Sequence, residues 1–332
     1  MIMAFRSVFR TRIGPAAAVA AALIVLAPAM TATAAADQAR LLVSADWLKP
    51  RLGNPGLFVL DIRSAIDGGG AEAYAKGHIP GAVHSDYDKA GWRVTRNGVA
   101  FMLPTLAQLE KLIGELGVDE DKHVVVVPAG VHQTDFGSAA RVYWTLKVAG
   151  LKRVSILDGG FAAWRSNSAN PVEVKPNPPS PTIFTVELNK GMIAELADVE
   201  RITRSGGAAL VDARSASFFS GKEKGQAAAY GHIPGAINLD SAAFYDDTSN
   251  RLKPKMELAK LAAAIPPGDV VSYCNTGHWA ATNWFVLHEL LGRTNVRLYD
   301  GSMVEWVADE SRQVASSRTK WDDLKQALGL RF

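Results

Sequence analysis

The chain of 332 residues contains one cysteine, Cys274, so it cannot form a disulfide bond within itself. This excludes the small disulfide-stabilised folds that are common among exported proteins. Cysteine-rich zinc sites are excluded as well, because they need several cysteine and histidine ligands at close spacing. We therefore predict no metal site. A lone thiol is then either a buried apolar side chain or a functional group, and its neighbours must decide between the two.

A strong excess of charge is also missing. The sequence has 36 Lys and Arg against 33 Asp and Glu, a formal net charge of +3. Three of the basic residues, Arg6, Arg10 and Arg12, lie within the first 36 residues, which hold no acidic residue. The rest of the chain is neutral. Composition therefore predicts no nucleic-acid partner and no binding to an anionic membrane surface.

Long hydrophobic runs are confined to the N-terminus. The apolar run from about Ala16 to Ala27 is too short to span the ~30 Å hydrocarbon core of a bilayer. It follows three arginines and precedes small residues that end in Ala34-Ala35-Ala36, the pattern of a secretory signal peptide with its cleavage site. We predict that residues 1–36 are removed. The mature protein, starting near Asp37, is expected to be periplasmic or secreted, without stable membrane association.

Four short blocks in the first half of the chain return in the second half in the same order. The pairs are LFVLDIR (Leu57–Arg63) with ALVDAR (Ala209–Arg214), GHIPGAVH (Gly77–His84) with GHIPGAIN (Gly231–Asn238), VVVVPAG (Val124–Gly130) with VVSYCNTG (Val270–Gly277), and LDGGFAAW (Leu157–Trp164) with LYDGSMVEW (Leu298–Trp306). Four blocks in one order indicate two copies of one domain.

A proline-rich segment separates the two copies and predicts an extended linker over residues 171–181. We place an N-terminal domain at residues 37–170 and a C-terminal domain at residues 182–332. In both, β-branched runs alternate with segments of helical period. This alternation predicts an α/β fold in which each domain is an open, mainly parallel sheet flanked by helices.

The cysteine falls at a defined place in this pattern. In the second copy, strands are predicted at Ala209–Asp212, Asp269–Tyr273 and Val296–Leu298, and helices at Lys255–Ile265 and Ala280–Leu291. Cys274 thus directly follows a parallel strand and precedes a helix. Ligands of open α/β sheets bind at the carboxyl edge of the strands, so the position favours a functional thiol.

The loop after this strand contains six residues, from Cys274 to Trp279. Gly277 lets it curl so that successive backbone N–H groups point at one spot beside a helix start, where an anionic sulfur is stabilised. A thiolate in this setting is a nucleophile, and we predict Cys274 as the catalytic residue. His278 could supply a positive charge or a hydrogen bond. Trp279 could wall the pocket or pack at the domain interface.

These blocks resemble the tandem-domain rhodanese family, the thiosulfate and 3-mercaptopyruvate sulfurtransferases, in a form exported by bacteria. The resemblance covers nearly all of the mature chain. It rests on D-x-R and GHIPGA in both halves, on the cysteine loop, and on the segments Asp135-Phe-Gly-Ser138, Arg141-Val-Tyr-Trp144 and Leu157-Asp-Gly-Gly160. It implies two rhodanese-like domains. The first lacks the cysteine, has Asp135 near the equivalent place, and is implied to be catalytically silent.

The resemblance also implies a ping-pong reaction at Cys274. Its thiolate attacks the outer sulfur of a donor and leaves a cysteine persulfide, from which a nucleophilic acceptor such as cyanide, a thiol or a protein group removes the sulfur. The negative charge of the persulfide is stabilised by loop N–H groups. The substrate- and persulfide-binding residues are then Asn275, Thr276, Gly277, His278 and Trp279. No metal or organic cofactor is implied.

The chain departs from the family pattern where the donor binds. Thiosulfate-specific members resemble C-R-K-G in the loop, whereas Asn275 and Thr276 stand at the basic positions here. Mercaptopyruvate-specific members look like C-G-S/T-G and use an arginine at the position of Phe218. Lys222 or Lys224 is a candidate for the missing anion clamp. Thiosulfate, an extracytoplasmic ion, is the favoured donor of an exported enzyme, and 3-mercaptopyruvate is the alternative.

Two other functions share some of these features. Protein phosphatases place a cysteine in a similar loop, but that loop ends in an arginine that grips phosphate, and Ala280 occupies its place here. The other function is that of a non-turnover persulfide carrier, which hands its sulfur to a partner protein. An intact cysteine loop favours the enzyme.

Overall fold

The computed structural model describes residues 40–67, 69–227, 229–319 and 321–322. The signal peptide predicted at residues 1–36 lies outside these ranges, as does the last stretch of the predicted C-terminal domain. Within the described ranges, no helix combines the length and the apolar character that crossing a membrane requires.

The N-terminal half alternates short strands with helices. Its strands are β1 (Leu42–Val43), β2 (Leu57–Asp61), β3 (Val83–His84), β4 (Val94–Arg96), β5 (Val99–Met102), β6 (His123–Val127) and β7 (Arg153–Leu157). Its α-helices are α1 (Ala45–Leu48), α2 (Gly70–Lys76), α3 (Leu106–Leu116), α4 (Gln133–Val148) and α5 (Gly160–Arg165). Short 3-10 turns lie at Lys49–Arg51 and Ala65–Asp67.

Local sequence signals set the ends of these helices, and α3 shows them well. It starts at a capping box, in which Thr105 Oγ1 accepts from Gln108 N and Gln108 Oε1 accepts from Thr105 N. It ends at Gly117, which adopts the left-handed φ of 89° that favours glycine. Between these ends, Leu109 and Ile113 lie on one face of the helix and are fully buried in the core.

The C-terminal half repeats the pattern. Its strands are β8 (Ala209–Asp212), β9 (Ile237–Asn238), β10 (Tyr245–Asp246), β11 (Arg251–Leu252), β12 (Val270–Tyr273) and β13 (Val296–Leu298). Its α-helices are α6 (Leu196–Ser205), α7 (Ala216–Ser220), α8 (Lys255–Ala262), α9 (His278–Trp284) and α10 (Ser302–Trp306). A π-helical stretch, Phe285–Leu290, continues α9, and 3-10 turns lie at Lys190–Met192 and Ser241–Phe244.

The predicted strands of the second copy are confirmed. β8 and β13 have the predicted bounds, and β12 begins one residue later than predicted. The helix after the cysteine loop begins at His278, two residues earlier than predicted, because Gly277 takes a left-handed φ of 72° and serves as its N-cap. The loop between strand and helix is correspondingly shorter.

Each half forms an open sheet whose strand pairings are all parallel. The strand order is β1-β7-β6-β2-β3 in the first sheet and β13-β12-β8-β9 in the second. The pairs β4–β5 and β10–β11 form separate antiparallel ribbons. In place of an outer strand equivalent to β1, the second sheet has a single bridge between Ile193 and Leu298. The predicted α/β fold and the duplication are confirmed.

The D-x-R sequence braces the carboxyl end of one central strand in each half. Arg63 Nη2 lies 2.7 Å from Asp61 Oδ2, and Arg214 Nη2 lies 2.6 Å from Asp212 Oδ2. In both pairs the arginine Nε also donates to the carboxylate, so the contact is bidentate. Each Nη2 donates in addition to the backbone oxygen of the first glycine of the GHIPGA block. The strand end and the GHIPGA turn are thereby tied together.

The two halves share one core. A continuous cluster of buried apolar residues runs from the first sheet through α4 and α9 to the second sheet. At its centre the Tyr143 ring meets the Phe285 ring edge-on at 4.9 Å, and Tyr143 Oη donates to Glu289 Oε2 at 3.0 Å. Burial of apolar surface holds the halves as one unit, so residues of both contribute to any site at their junction.

The connector predicted at residues 171–181 lies along the N-terminal half. Residues 171–189 contain no helix and no strand longer than the single bridge between Glu173 and His78. The irregular stretch continues to Asn189, whose N–H donates to Val148 O at 2.8 Å. The chain therefore stays in contact with the first half until shortly before α6 begins.

Candidate active site

Cys274 directly follows β12, and its side chain is buried, with 1% exposed. The backbone around it is held by α10. Cys274 N donates to Ser302 Oγ at 3.0 Å, Met303 N donates to Cys274 O at 3.1 Å, and Val304 N donates to Asn275 O at 3.1 Å. The thiol is thus carried by a loop that is fixed to both the sheet and a helix.

A pocket of about 430 Å³ opens over Cys274 at the junction of the two halves. The C-terminal half contributes Phe218, Gly225, Gln226, Cys274, Asn275, Thr276, His278 and Trp279, and the N-terminal half contributes Ile66, Asp88, Arg93, Phe101 and Thr134. Of the predicted loop residues, all but Gly277 line this cavity. The half without a cysteine supplies the opposite wall.

Asn275 is fixed from two sides. Arg214 Nη1 donates to Asn275 Oδ1 at 3.2 Å. Gly225 lies so close that a Cβ at that position would come within 2.5 Å of the Asn275 amide nitrogen. Because Arg214 is itself held by Asp212, the ion pair at the end of β8 also positions the cysteine loop. Sequence reasoning missed this coupling, since Arg214 and Asn275 are 61 positions apart.

Gly277 lies in close contact with Asp300 of its own half and with Arg141 of the N-terminal half. A Cβ here would lie 2.8 Å from Asp300 O and 2.9 Å from Asp300 Cα, and it would overlap Arg141 Nη1. Its φ of 72° is in the left-handed region as well. Glycine is therefore required both by the backbone conformation and by the space available.

His278 is buried, and both ring nitrogens bond to the N-terminal half. Nε2 lies 2.8 Å from Thr134 O, and Nδ1 lies 2.8 Å from Tyr87 Oη. A carbonyl oxygen only accepts, so Nε2 carries the ring proton and Tyr87 donates to Nδ1. Burial, followed by the positive charge of Arg93, lowers the pKa of His278 to about 3. His278 is thus neutral and gives the loop hydrogen bonds, not positive charge.

The neutral buried histidine predicts a pH dependence of stability. Between about pH 6.5 and pH 3 the unfolded chain binds a proton on His278 and the folded chain does not. The folded state therefore loses stability as the pH falls through this window. From pH 7 to pH 5 this loss is about 2 kcal/mol.

The variant His278→Gln isolates this effect, because every other titrating group is common to both chains. Its amide can still donate to Thr134 O, but it does not titrate. Chemical unfolding of the two chains at pH 7 and pH 5 should show that the stability advantage of the wild type shrinks by about 2 kcal/mol at the lower pH. An advantage that stays the same at both pH values would contradict a neutral His278.

Trp279 has both of the roles predicted for it, at the domain interface and in the pocket wall. Its Nε1–H donates to Thr134 Oγ1 of the N-terminal half at 3.3 Å, so it packs at the domain interface. Its ring lies 6.2 Å from that of Phe218, and both rings line the pocket. The wall of the pocket on this side is aromatic.

The two lysines that were candidates for an anion clamp lie elsewhere. Lys222 lines a separate small cavity beside Arg318, and Lys224 Nζ lies 5.6 Å over the ring of Tyr230. Both side chains are exposed, and neither is among the residues that line the Cys274 pocket. The segment after α7 directs these long charged side chains to water, where their charges are best solvated.

Sequence reasoning missed the residues of the N-terminal half that complete the site: Tyr87, Arg93, Thr134 and Arg141. Tyr87 and Thr134 hold His278, and Arg93 lines the pocket. Arg141 is fully buried, with Nη2 3.4 Å from Asp300 Oδ2. Tyr87 and His278 are 191 positions apart, and no local pattern connects them. Arg141 lies in the segment Arg141-Val-Tyr-Trp144, which carries part of the family resemblance.

The equivalent loop of the N-terminal half is filled by its own carboxylate. Pro128 follows β6 in the place that Cys274 takes after β12. The Asp135 carboxylate accepts hydrogen bonds from three loop N–H groups, those of Ala129, Gly130 and Val131, at 2.9, 2.5 and 3.1 Å. In the first copy, the N–H groups of the loop are thus already paired with a carboxylate of the same half.

A cysteine loop at the carboxyl edge of a parallel sheet, enclosed between two copies of one α/β domain, defines a two-domain protein of the rhodanese type. Residues 44–167 and 195–309 each match the Rhodanese-like domain family. The two segments make up more than half of the chain, and the chain belongs to this family. The predicted tandem arrangement is thereby confirmed.

Curated relatives match along most of the chain. A thiosulfate sulfurtransferase of Corynebacterium glutamicum is 37% identical over 281 residues, which cover 80% of this chain and 87% of the relative. A 3-mercaptopyruvate sulfurtransferase of Escherichia coli is 33% identical over 279 residues, which cover 80% of this chain and 94% of the relative. These relatives confirm the prediction of a sulfurtransferase. Their names include two different donors, so the donor must be inferred from the site.

A solved structure agrees with this assignment. The crystal structure of the Escherichia coli 3-mercaptopyruvate sulfotransferase SseA superimposes with a TM-score of 0.67 at 29% sequence identity. The match covers 79% of this chain and 98% of that one. The two-domain rhodanese fold predicted from the sequence is therefore also the fold of a relative known from experiment.

Proposed function

We propose that the protein moves a sulfane sulfur from thiosulfate through a persulfide on Cys274 to a nucleophilic acceptor. The observation that carries the proposal is the place of the only cysteine in the chain: it lies at the carboxyl end of β12, with 1% exposed, in a pocket that both halves enclose. Burial of the sulfur restricts its access to small reactants. An unpaired thiol in an exported protein is thereby protected from disulfide exchange.

The proposed reaction has two steps in which electrons balance without an external oxidant. In the first, the Cys274 thiolate attacks the outer sulfur of thiosulfate, the sulfur–sulfur bond of the donor breaks, and sulfite leaves with the electron pair. In the second, an acceptor such as cyanide attacks the terminal sulfur of the persulfide. Thiocyanate forms, and the thiolate is regenerated. The persulfide itself carries the sulfur, so the proposal needs no metal or organic cofactor.

The loop residues have distinct parts in this scheme. Asn275 and Thr276 line the pocket directly beside the thiol. Gly277 allows the close approach to the N-terminal half, and His278 fixes the loop to it through Tyr87 and Thr134. We infer that a loop held in this way presents its N–H groups to the charged sulfur without reorganisation at the moment of reaction.

The choice between donors rests on two observations that point in different directions. The relative with 37% identity is named for thiosulfate, and an exported enzyme meets that ion. On the other hand, the loop lacks a basic pair beside the cysteine, and a relative with 33% identity is named for 3-mercaptopyruvate. We therefore propose thiosulfate as the first donor and keep 3-mercaptopyruvate as the second candidate.

The first experiment measures the mass of the intact protein after incubation with each donor. Purified protein is incubated separately with thiosulfate and with 3-mercaptopyruvate, freed of excess donor, and analysed by mass spectrometry. We expect thiosulfate to add the mass of one sulfur atom, and cyanide or a small thiol to remove it. A gain with 3-mercaptopyruvate alone would replace the proposed donor. No gain with either would contradict a small-molecule sulfurtransferase.

Steady-state turnover separates an enzyme from a persulfide carrier. A sulfurtransferase should form thiocyanate continuously from thiosulfate and cyanide, in large excess over the protein present. A carrier would accept one sulfur per chain and then stop, because its acceptor is a partner protein. Production of thiocyanate beyond one equivalent therefore decides in favour of the enzyme.

We also propose that the protein acts outside the cytoplasm, after removal of residues 1–36. The arginines, the apolar run and the alanines of that segment support this, and the family match begins only at residue 44. Expression of the full chain in a Gram-negative host, followed by N-terminal sequencing of the periplasmic fraction, should find a start near Asp37. A cytoplasmic protein that retains residues 1–36 would contradict the proposal.

A further inference from the structure

Arg93 lies in the pocket wall opposite the cysteine loop, directly before β4. Its guanidinium carbon lies 4.3 Å from the centre of the Tyr87 ring and 4.9 Å from that of Phe101, so two aromatic faces hold it. Its side chain is 8% exposed and lines the same pocket as Cys274. A cation held in place in the same pocket as the thiol is positioned to bind an anion.

The hydrogen bonds of this arginine are incomplete. Nη2 donates to Asp88 Oδ1 at 2.8 Å, whereas Nε is buried and has no hydrogen-bond partner among the described residues. The two D-x-R pairs show the complete arrangement, in which both Nε and Nη2 of Arg63 and of Arg214 bond to one carboxylate. A buried donor without a partner is costly, and an anion in the pocket would satisfy it.

Arg93 is also the positively charged residue among those that line the pocket. Asp88 and Arg93 are the charged residues among those that line it, and His278 is neutral. The positive charge of Arg93 is, after burial, the next cause of the lowered pKa of His278 in the same pocket. Arg141, by contrast, is not in the pocket lining and faces Asp300.

We propose that Arg93 binds the anionic group of the sulfur donor, and that Asp88 competes with the donor for it. This inference rests on the proposed sulfurtransferase function. It assigns the anion clamp to the half that has no cysteine. An entering sulfonate or carboxylate takes the edge formed by Nε and Nη2, and Asp88, whose side chain is 24% exposed, turns toward water. The donor's outer sulfur is then held over Cys274.

The test compares loading of Cys274 in Arg93→Gln with that in the wild type, using the donor that loads the wild type. The half-saturating donor concentration should rise about 10- to 100-fold, because a bidentate charge-assisted contact is lost. Removal of the sulfur by dithiothreitol, which carries no charge, should stay within about twofold of the wild type. A structural defect would slow both loading by the donor and removal of the sulfur.

Two further variants make the test specific. Asp88→Asn removes the competing carboxylate, so the half-saturating concentration should fall about threefold or more, in the direction opposite to Arg93→Gln. If the pair is only structural, both variants change loading in the same direction or not at all. Arg93→Lys, which retains the charge without the planar fork, should recover part of the affinity.

Arg51→Gln is the matched control. Arg51 lies 4.3 Å over the Trp47 ring and donates to Trp47 O, so it resembles Arg93 in its stacking but lies outside the pocket. This variant should load like the wild type.

The outcomes separate the inference from the function. If the wild type takes up no sulfur from any donor, the proposed function fails. If the wild type loads and Arg93→Gln loads at the same donor concentration, the inference is overturned while the function stands. Should Arg93→Gln fail to fold, Asp88→Asn decides: tighter donor binding supports the clamp, and unchanged or weaker binding overturns it.

Discussion

Cys274→Ser is expected to lower sulfur transfer from thiosulfate to cyanide by at least about four orders of magnitude, with no persulfide detectable by mass. The chain has no second cysteine that could take over. A serine hydroxyl is a far weaker nucleophile towards sulfur, and it cannot store the transferred atom as a persulfide.

The substitution should leave the fold intact, which makes the loss interpretable. Serine has nearly the volume of cysteine, and the backbone bonds of Cys274 to Ser302 and Met303 do not involve the side chain of residue 274. Burial of the added hydroxyl costs about 1 kcal/mol. Thermal unfolding should therefore stay close to that of the wild type. Activity above about 1% of the wild-type value would mean that the sulfur passes through another group.

Gly277→Ala is expected to lower the free energy of unfolding by about 3 kcal/mol and to lower loading of Cys274 at least tenfold. Part of this cost comes from the left-handed φ of 72°. The larger part comes from the new Cβ, which would lie 2.8 Å from Asp300 O and overlap Arg141 Nη1. The loop must move away from Asp300 and Arg141, and the thiol moves with it.

Gly292→Ala is a matched control for the backbone term. Gly292 has a φ of 73°, but a Cβ there would meet nothing within 4 Å. It should cost only about 1 kcal/mol and leave sulfur loading unchanged. Denaturant unfolding and persulfide loading of both variants measure the difference. Equal destabilisation would show that the close contacts of Gly277 with Asp300 and Arg141 do not exist in solution.

The structure gives the N-terminal copy a part in the active site even though it has no cysteine. Its own loop is filled by the Asp135 carboxylate and has no thiol to offer. Yet Tyr87 and Thr134 hold His278, and Arg93 provides the positive charge of the pocket wall. The duplication therefore provides an active site to which both halves contribute residues.

Much of the fold could be predicted because its signals are local. The bounds of β8 and β13 follow from short β-branched runs, and the place of the cysteine follows from a strand and a helix that flank it within a few residues. The duplication followed from four blocks that repeat in order. Each of these features can be recognised from short stretches of consecutive residues, without knowledge of contacts between distant parts of the chain.

The candidates for the anion clamp differ between sequence and structure, and the reason is physical. Lys222 and Lys224 were candidates because they are near Arg214 in the sequence. In the structure both are exposed outside the pocket, whereas Arg93, some 180 positions from the cysteine, lines it. Proximity along the chain does not decide which charge faces a cavity. The packing of one half against the other does, because it brings distant residues together.

By itself, then, the sequence determined the duplicated α/β fold, the rhodanese family, and the single thiol in a loop at a sheet edge, since strand period, repeats and a unique cysteine need no knowledge of distant contacts. Only the tertiary structure decided that His278 is neutral, that Gly277 must be glycine, and that Arg93 lines the same pocket as the thiol. Those properties depend on burial and on contacts between α9, its loop and the opposite half, and burial is a property of the assembled core.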